Sequence, residues 1–173
     1  MARLPYTDFK DKAFTAAGKP TINVMKMLGH SSSTIEHWAA IGAAQFAHFS
    51  LPKKLRELVI LFTTAKFNSA YEFRHHIPLS SRFGVTDAQR DEFIKAGKTK
   101  EKWFSRQRYE NGNGFAPKEL LLLRFLEQII DDGEVGEELW AETRETFSDR
   151  EIVEILSMQV RLAHRQIYVG KPC

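Results

Sequence analysis

Apolar residues return along this chain every three or four positions, the period of a helix buried on one face. An amphipathic segment from Thr21 to Leu28 closes at Gly29. The cluster Ser31–Thr34 then offers N-cap side chains to a segment carrying Ile35, Trp38, Ile41, Phe46 and Ala47. Ser50-Leu51-Pro52 opens the next helix, with Ser50 as its expected cap and Pro52 in its first turn. That helix, Pro52 to Phe67, starts charged and becomes apolar nearly all round, which predicts burial at the centre of the fold. Glu57 stands where the charged half gives way to the apolar half. A further helix carries the stretch NSAYEFRHHIPLSSRFGV and stops near Gly84; Thr86 caps the one after it, which closes at Gly97. Lys118–Asp131, Glu134–Thr146 and Asp149–Tyr168 follow, the last behind a Ser148 cap. Strand signals are nearly absent. The expectation is an all-α, compact helical domain of about seven to eight helices, spanning 1–173 as a single domain.

One segment breaks the period. Residues 98–117 are basic and aromatic, with Trp103, Phe104, Tyr109 and Phe115, and Asn111-Gly-Asn-Gly makes them flexible. A loop of this length reads equally as a lid or as disorder.

Composition changes this picture little. An apolar fraction of 43% with 13 Phe supplies a real core and argues against disorder. The net charge of +3 comes from 25 basic and 22 acidic residues. These alternate, as in EKWFSRQRYE, instead of gathering into a patch, so no nucleic-acid partner is expected. The one cysteine, Cys173, excludes an internal disulfide and a cysteine-built metal site, and suits a reducing compartment. The start lacks the apolar stretch of a secretory signal and no run approaches a membrane span. Soluble, cytoplasmic and without a membrane partner is the expectation.

Candidate chemistry gathers in one place. Tyr71, Glu72, Arg74, His75 and His76 fall within six consecutive positions. Glu72 and His76, four apart, share a helix face, and Tyr71 with His75 forms a second pair rotated by one residue. A carboxylate touching an imidazole orients the ring and fixes its tautomer, which makes an acid–base unit. Glu57, Glu72, His75 and His76 offer metal-ligand chemistry as well. However, adjacent histidines on a helix point about 100° apart, and no His-Glu-x-x-His pattern is present, so no metal is expected. Arg161 and Arg165, one turn apart on the last helix, read as exposed.

The stretch LPKKLRELVILFTTAKFNSAYEFRHHIPLSSRFGVTD resembles the central signature of the carboxymuconolactone decarboxylase and alkylhydroperoxidase-D-like family. The shared features are a Leu-Pro helix start with Arg-Glu-Leu, an apolar run, a Tyr-Glu-aromatic helix with its histidine, and a Gly-Val turn before an acidic helix start. The likeness is close over 51–97 and looser on both flanks, where FAPKELLLLRF and FSDREIVEIL look like the family's later helices. It implies an alkylhydroperoxidase-D-like fold and a homodimer or higher homo-oligomer. The family's redox branch carries a Cys-x-x-Cys pair with a following histidine. Here the cysteine places read Ser69 and Glu72, while His76 keeps the histidine place and Glu57 matches the family's proton-relay glutamate. Without thiols at the centre, peroxide reduction by a cysteine pair is chemically unavailable.

What the resemblance then implies is a decarboxylase-like lyase or isomerase that needs no cofactor and acts by acid–base chemistry on a small carbonyl acid, lactone or related specialised metabolite. Decarboxylation, enolisation, dehydration, ring opening and cyclisation all belong to that class. Such chemistry stabilises an enolate, delivers a proton to carbon and holds a carboxylate. Glu57, Glu72 and His76 are the catalytic candidates: His76 as donor, Glu72 orienting it or acting as base, and Glu57 as neutral acid. Ser69, Tyr71, Arg74 and His75 are candidates for substrate binding or support. Two alternatives stand beside this reading. One is a non-catalytic oligomeric scaffold or small-molecule-binding protein that lost the redox cysteines; the other is an antioxidant role through Cys173.

Overall fold

The computed structural model describes residues 4–99, 101–104 and 114–169, the last six by backbone alone. Helix is the only regular structure among them. The residues divide into two compact units, one drawn from Met1–Phe49 and His164–Cys173, the other Ser50–Ala163.

In the first unit lie α1 (Lys12–Ala16), α2 (Asn23–Leu28) and α3 (Ile35–His48). Val24, Met25 and Ile35 form its small core, with Phe9, Ile22, Leu28 and Ala39 packed around them. The five-residue α1 is absent from the expected set because one turn shows no apolar period. Its start is nevertheless chemically marked: the Asp11 carboxylate accepts from the amides of Ala13 and Phe14 at 2.9 and 3.1 Å.

The second unit is built around α4 (Lys53–Lys66), against which α5 (Ala70–Arg82), α6 (Asp87–Ala96) and α7 (Pro117–Asp132) pack. Every residue from Leu55 to Thr64 is buried, as the all-round apolar pattern predicts. The turn from α5 to α6 carries Gly84 at φ 84°, a backbone conformation that suits glycine. Thr86 and Gln89 form a reciprocal capping box at the start of α6. At the other end of α6, a Cβ on Gly97 would come within 2.4 Å of the Ala65 carbonyl oxygen, so only glycine allows α6 to close onto α4. The unit is completed by α8 (Glu137–Thr146), packed on α7, and by α9 (Asp149–Val169) as far as Ala163. Ser148 caps α9 as expected, exchanging hydrogen bonds with Glu151.

One sequence expectation meets a different outcome here. Ser50 does not cap α4; its hydroxyl donates instead to Glu154 of α9 at 3.0 Å, and the amides of Ser50 and Leu51 donate to the same carboxylate at 3.0 and 2.9 Å. A long-range acceptor outcompetes the local amide donors of α4 because a carboxylate satisfies three donors at once. The irregular segment, in turn, is firmly placed at both ends. Phe104 is wholly buried, set edge-on to Phe62 and Phe115 with ring centroids 5.2 and 5.6 Å away. Glu127 of α7 accepts from the amides of Trp103 and Phe104, both at 2.9 Å. Burial pushes the Glu127 carboxyl above its ordinary range, against the pull of those two amides. Tyr109 and most of Asn111-Gly-Asn-Gly lie outside the described residues.

Two stability experiments follow from this packing. Phe104→Ala should cost about 3–5 kcal/mol, read as a fall in the urea midpoint, because the aromatic cluster cannot close over the void. For Glu154, burial raises the carboxyl, but the Ser50 and Leu51 amides, Arg150 and the Ser50 hydroxyl outweigh it and hold the group below its ordinary value of 4.5. A depressed folded value means that this stabilisation is full above 4.5 and is lost as pH falls through the folded value. The midpoint difference between wild type and Glu154→Gln should therefore shrink as the solution is acidified.

Candidate functional site

Glu57 belongs to the second turn of α4 and is wholly buried. A buried carboxylate needs donors on both oxygens. Oε2 takes Nδ1–H of His76 at 2.9 Å, and Oε1 faces the Arg56 guanidinium, with Nε at 3.5 Å. Arg56 is itself buried, its guanidinium carbon 5.7 Å from the centre of the Phe83 ring. Lys53 Nζ approaches the same ring at 5.4 Å.

The pair bridges two helices, because His76 sits in the middle of α5. With the carboxylate accepting at Nδ1, the ring is held in one orientation and Nε2 becomes its other proton-handling atom. The His76 side chain is 13% exposed against 0% for Glu57, so the imidazole is the member nearer to solvent.

Glu72 is buried one turn before His76 and on the same face of α5, at 3% exposed. Nδ1–H of His76 donates to Glu57, across the interface between α4 and α5. Tyr71 and His75 stack as the four-residue spacing suggests, with ring centroids 4.4 Å apart, and His75 is exposed. Arg74 is exposed. Ser69 is buried at the N-cap of α5, yet its side chain makes no cap hydrogen bond.

The cavity of this unit only partly overlaps the face of α5 that carries Glu72 and His76. A cavity of about 320 Å³ opens beside Ser69, Ala70, Phe73, Arg74 and Ile77. Ala70, Arg74 and Ile77 lie about 100° or more round the helix from both Glu72 and His76, whereas Ser69 and Phe73 stand one turn from Glu72 and His76 respectively. Arg56 was not among the candidates, although its place beside Glu57 in the Arg-Glu-Leu triplet was the available signal. Arg161, read as exposed, is 8% exposed. Arg165 and Cys173 lie outside the described residues as side chains. Among the described residues, no group of three or more His, Cys, Asp or Glu side chains is placed to hold a metal ion. No described helix is long and apolar enough to cross a membrane.

Comparison of the chain with protein-family models, with curated proteins and with solved structures gave no match in any of the three.

The geometry predicts a tautomer. Long-range nitrogen–proton NMR at neutral pH should show neutral His76 carrying its proton on Nδ1, and Glu57→Ala should remove that preference. A predominantly Nε2–H imidazole in the wild type would be incompatible with the hydrogen bond. Because Glu57→Ala also strands the buried Arg56 charge, it should cost about 3–5 kcal/mol in denaturant unfolding. Glu57→Gln, which keeps an acceptor, should cost markedly less.

Proposed function

We propose that the chain is a cofactor-free lyase or isomerase that moves protons on a small carbonyl acid or lactone, with His76 and Glu57 as the working pair. The observation that carries this reading is the 2.9 Å bond from His76 Nδ1 to a fully buried carboxylate, on an imidazole nearer to solvent than its partner. Such a pair holds one ring nitrogen in place while the other exchanges a proton with a reacting carbon or oxygen. Glu57 orients the ring and balances the imidazolium formed when Nε2 takes a proton. Glu72, buried one turn away, is the second carboxyl of the site, and Arg56 supplies positive charge behind it. Ser69, Tyr71, Arg74 and His75 keep supporting roles in this reading.

The resemblance of residues 51–97 to carboxymuconolactone decarboxylases points to the same reaction class, and a cytoplasmic homo-oligomer is part of the reading it suggests. Ile41 and Phe46 of α3, 52% and 40% exposed, are apolar surface of the kind that subunit contacts cover. A second reading has one specific observation in its favour. The proximity of Arg56 to Glu57 suits a structural ion pair in a scaffold or binding protein that performs no chemistry. The first reading is favoured because the imidazole contact is the shorter of the two.

The test is solvent-deuterium exchange at carbon, followed by proton NMR, across a panel of 2- and 3-oxo acids and unsaturated lactones. Wild type should exchange α-protons of at least one member faster than buffer. His76→Gln and Glu57→Gln should each lower that rate about a hundredfold or more. Exchange of equal speed in His76→Gln would remove the pair from the chemistry.

A further inference from the structure

The cavity beside α5 has its own chemical character. Its walls come from the end of α4, the start of α5 and the end of α6. Phe73, Ile77 and Ile94 make it apolar, and the last two are 36% and 40% exposed. Two cations stand on its lining, Arg74 and Lys98, and no carboxylate does. Neither cation is paired with an acid among the described residues, whereas Lys54, Lys66, Lys95, Lys102 and Arg124 of this unit are.

The polar end of the cavity is the N-terminus of α5. That helix is thirteen residues long, and no side chain caps its first turn. Its leading amides therefore present the positive end of the helix dipole. Ser69, the N-cap residue, lines the cavity and is only 8% exposed, and its hydroxyl has no hydrogen-bond partner among the described residues. Nothing among the described residues takes up that hydroxyl, so it is left for an occupant of the cavity. Asn68, immediately before it, holds a left-handed φ of 58°, a conformation that residues other than glycine adopt seldom and that aims the chain into this corner.

We propose that this cavity binds an amphipathic monocarboxylate. The carboxylate lies at the Ser69 hydroxyl and the first amides of α5, between Arg74 and Lys98, and the aliphatic chain lies along Phe73, Ile77 and Ile94. Volume sets the length. About 320 Å³ is the space of roughly ten waters at about 30 Å³ each. That suits a ligand of roughly ten non-hydrogen atoms, such as octanoate. The proposal does not rest on proton transfer between Glu57 of α4 and His76 of α5.

Isothermal titration of the full chain with butyrate, hexanoate, octanoate and octanol tests the proposal. Each added methylene from butyrate to octanoate should tighten binding roughly two- to fourfold, and octanol should bind at least tenfold more weakly than octanoate. Arg74→Gln with Lys98→Gln, both at exposed positions, should weaken octanoate roughly tenfold while leaving octanol unchanged. Ser69→Val should weaken octanoate alone. The proposal is overturned by three results: no octanoate binding at millimolar concentration, equal binding of octanoate and octanol by wild type, or full octanoate affinity in the double variant. The comparison of acid with alcohol needs only the wild-type protein, so it stands even if a variant fails to fold. His76→Gln should bind octanoate as wild type does, which separates this site from the proton-handling pair.

Discussion

Burying α4 on every side is the constraint from which the rest of the second unit follows. A helix with no solvent face must have a neighbour along each stripe, and α5, α6 and α7 supply them. Placing Glu57 on that helix adds a demand that packing alone does not meet. A charged group out of water needs donors that reach it within the interior; Arg56 faces one oxygen from the same helix, and the other takes a residue on an adjoining helix at the right height. His76 fills that position. The bond therefore sets the height and rotation of α5 on α4 as much as it sets up chemistry. The apolar run that buries α4 and the titratable cluster on α5 are two ends of one requirement.

Other buried glutamates show how the same group serves structure. Glu119 receives the Ala116 amide and the Gln89 side chain, with Lys54 on its other oxygen. Glu127 receives the amides of Trp103 and Phe104, with Lys66 nearby. Glu154 receives the amides of Ser50 and Leu51. Each of these three fixes a chain segment outside the helices, and each uses backbone N–H groups, which hold their protons at any ordinary pH. The carboxylate of Glu57 is bonded instead to an imidazole, whose proton can leave. In the interior of this unit that difference separates a clamp from a candidate acid–base pair.

Much of this was legible along the chain, and the exceptions share a cause. Helix positions follow from periodicity, and the starts at Thr86 and Ser148 follow from local cap chemistry, because both signals are carried by residues within one turn. Ser50 looked like a cap by the same local logic. Its real partner is 104 residues further on, which no local pattern encodes. Phe104 and Phe115 looked like parts of a loose loop for a related reason: what holds them is a cluster with Phe62 and Phe93, brought together by folding. At the site, the residues were visible but the pairing was not. Spacing shows that Glu72 and His76 share a face. It is silent about a carboxylate on the next helix, 19 residues away in sequence, that reaches the ring.

Neighbouring faces of α5 carry different chemical character. Glu72 and His76 turn toward the interior, where low polarity strengthens each charge interaction and a carboxylate holds the ring. Ala70, Phe73, Arg74 and Ile77 turn toward an opening lined by cations and apolar side chains. Ser69 stands at the junction, at the N-cap of the helix, where the dipole favours an anion. A carboxylate seated there would lie near the N-terminal end of the helix whose middle carries His76. Helical geometry separates Arg74 and Ile77 from Glu72 and His76, while Ser69 and Phe73, three residues before Glu72 and His76 respectively, border both. A sequence that places Phe73 and Arg74 between Glu72 and His76 must present both chemistries at once.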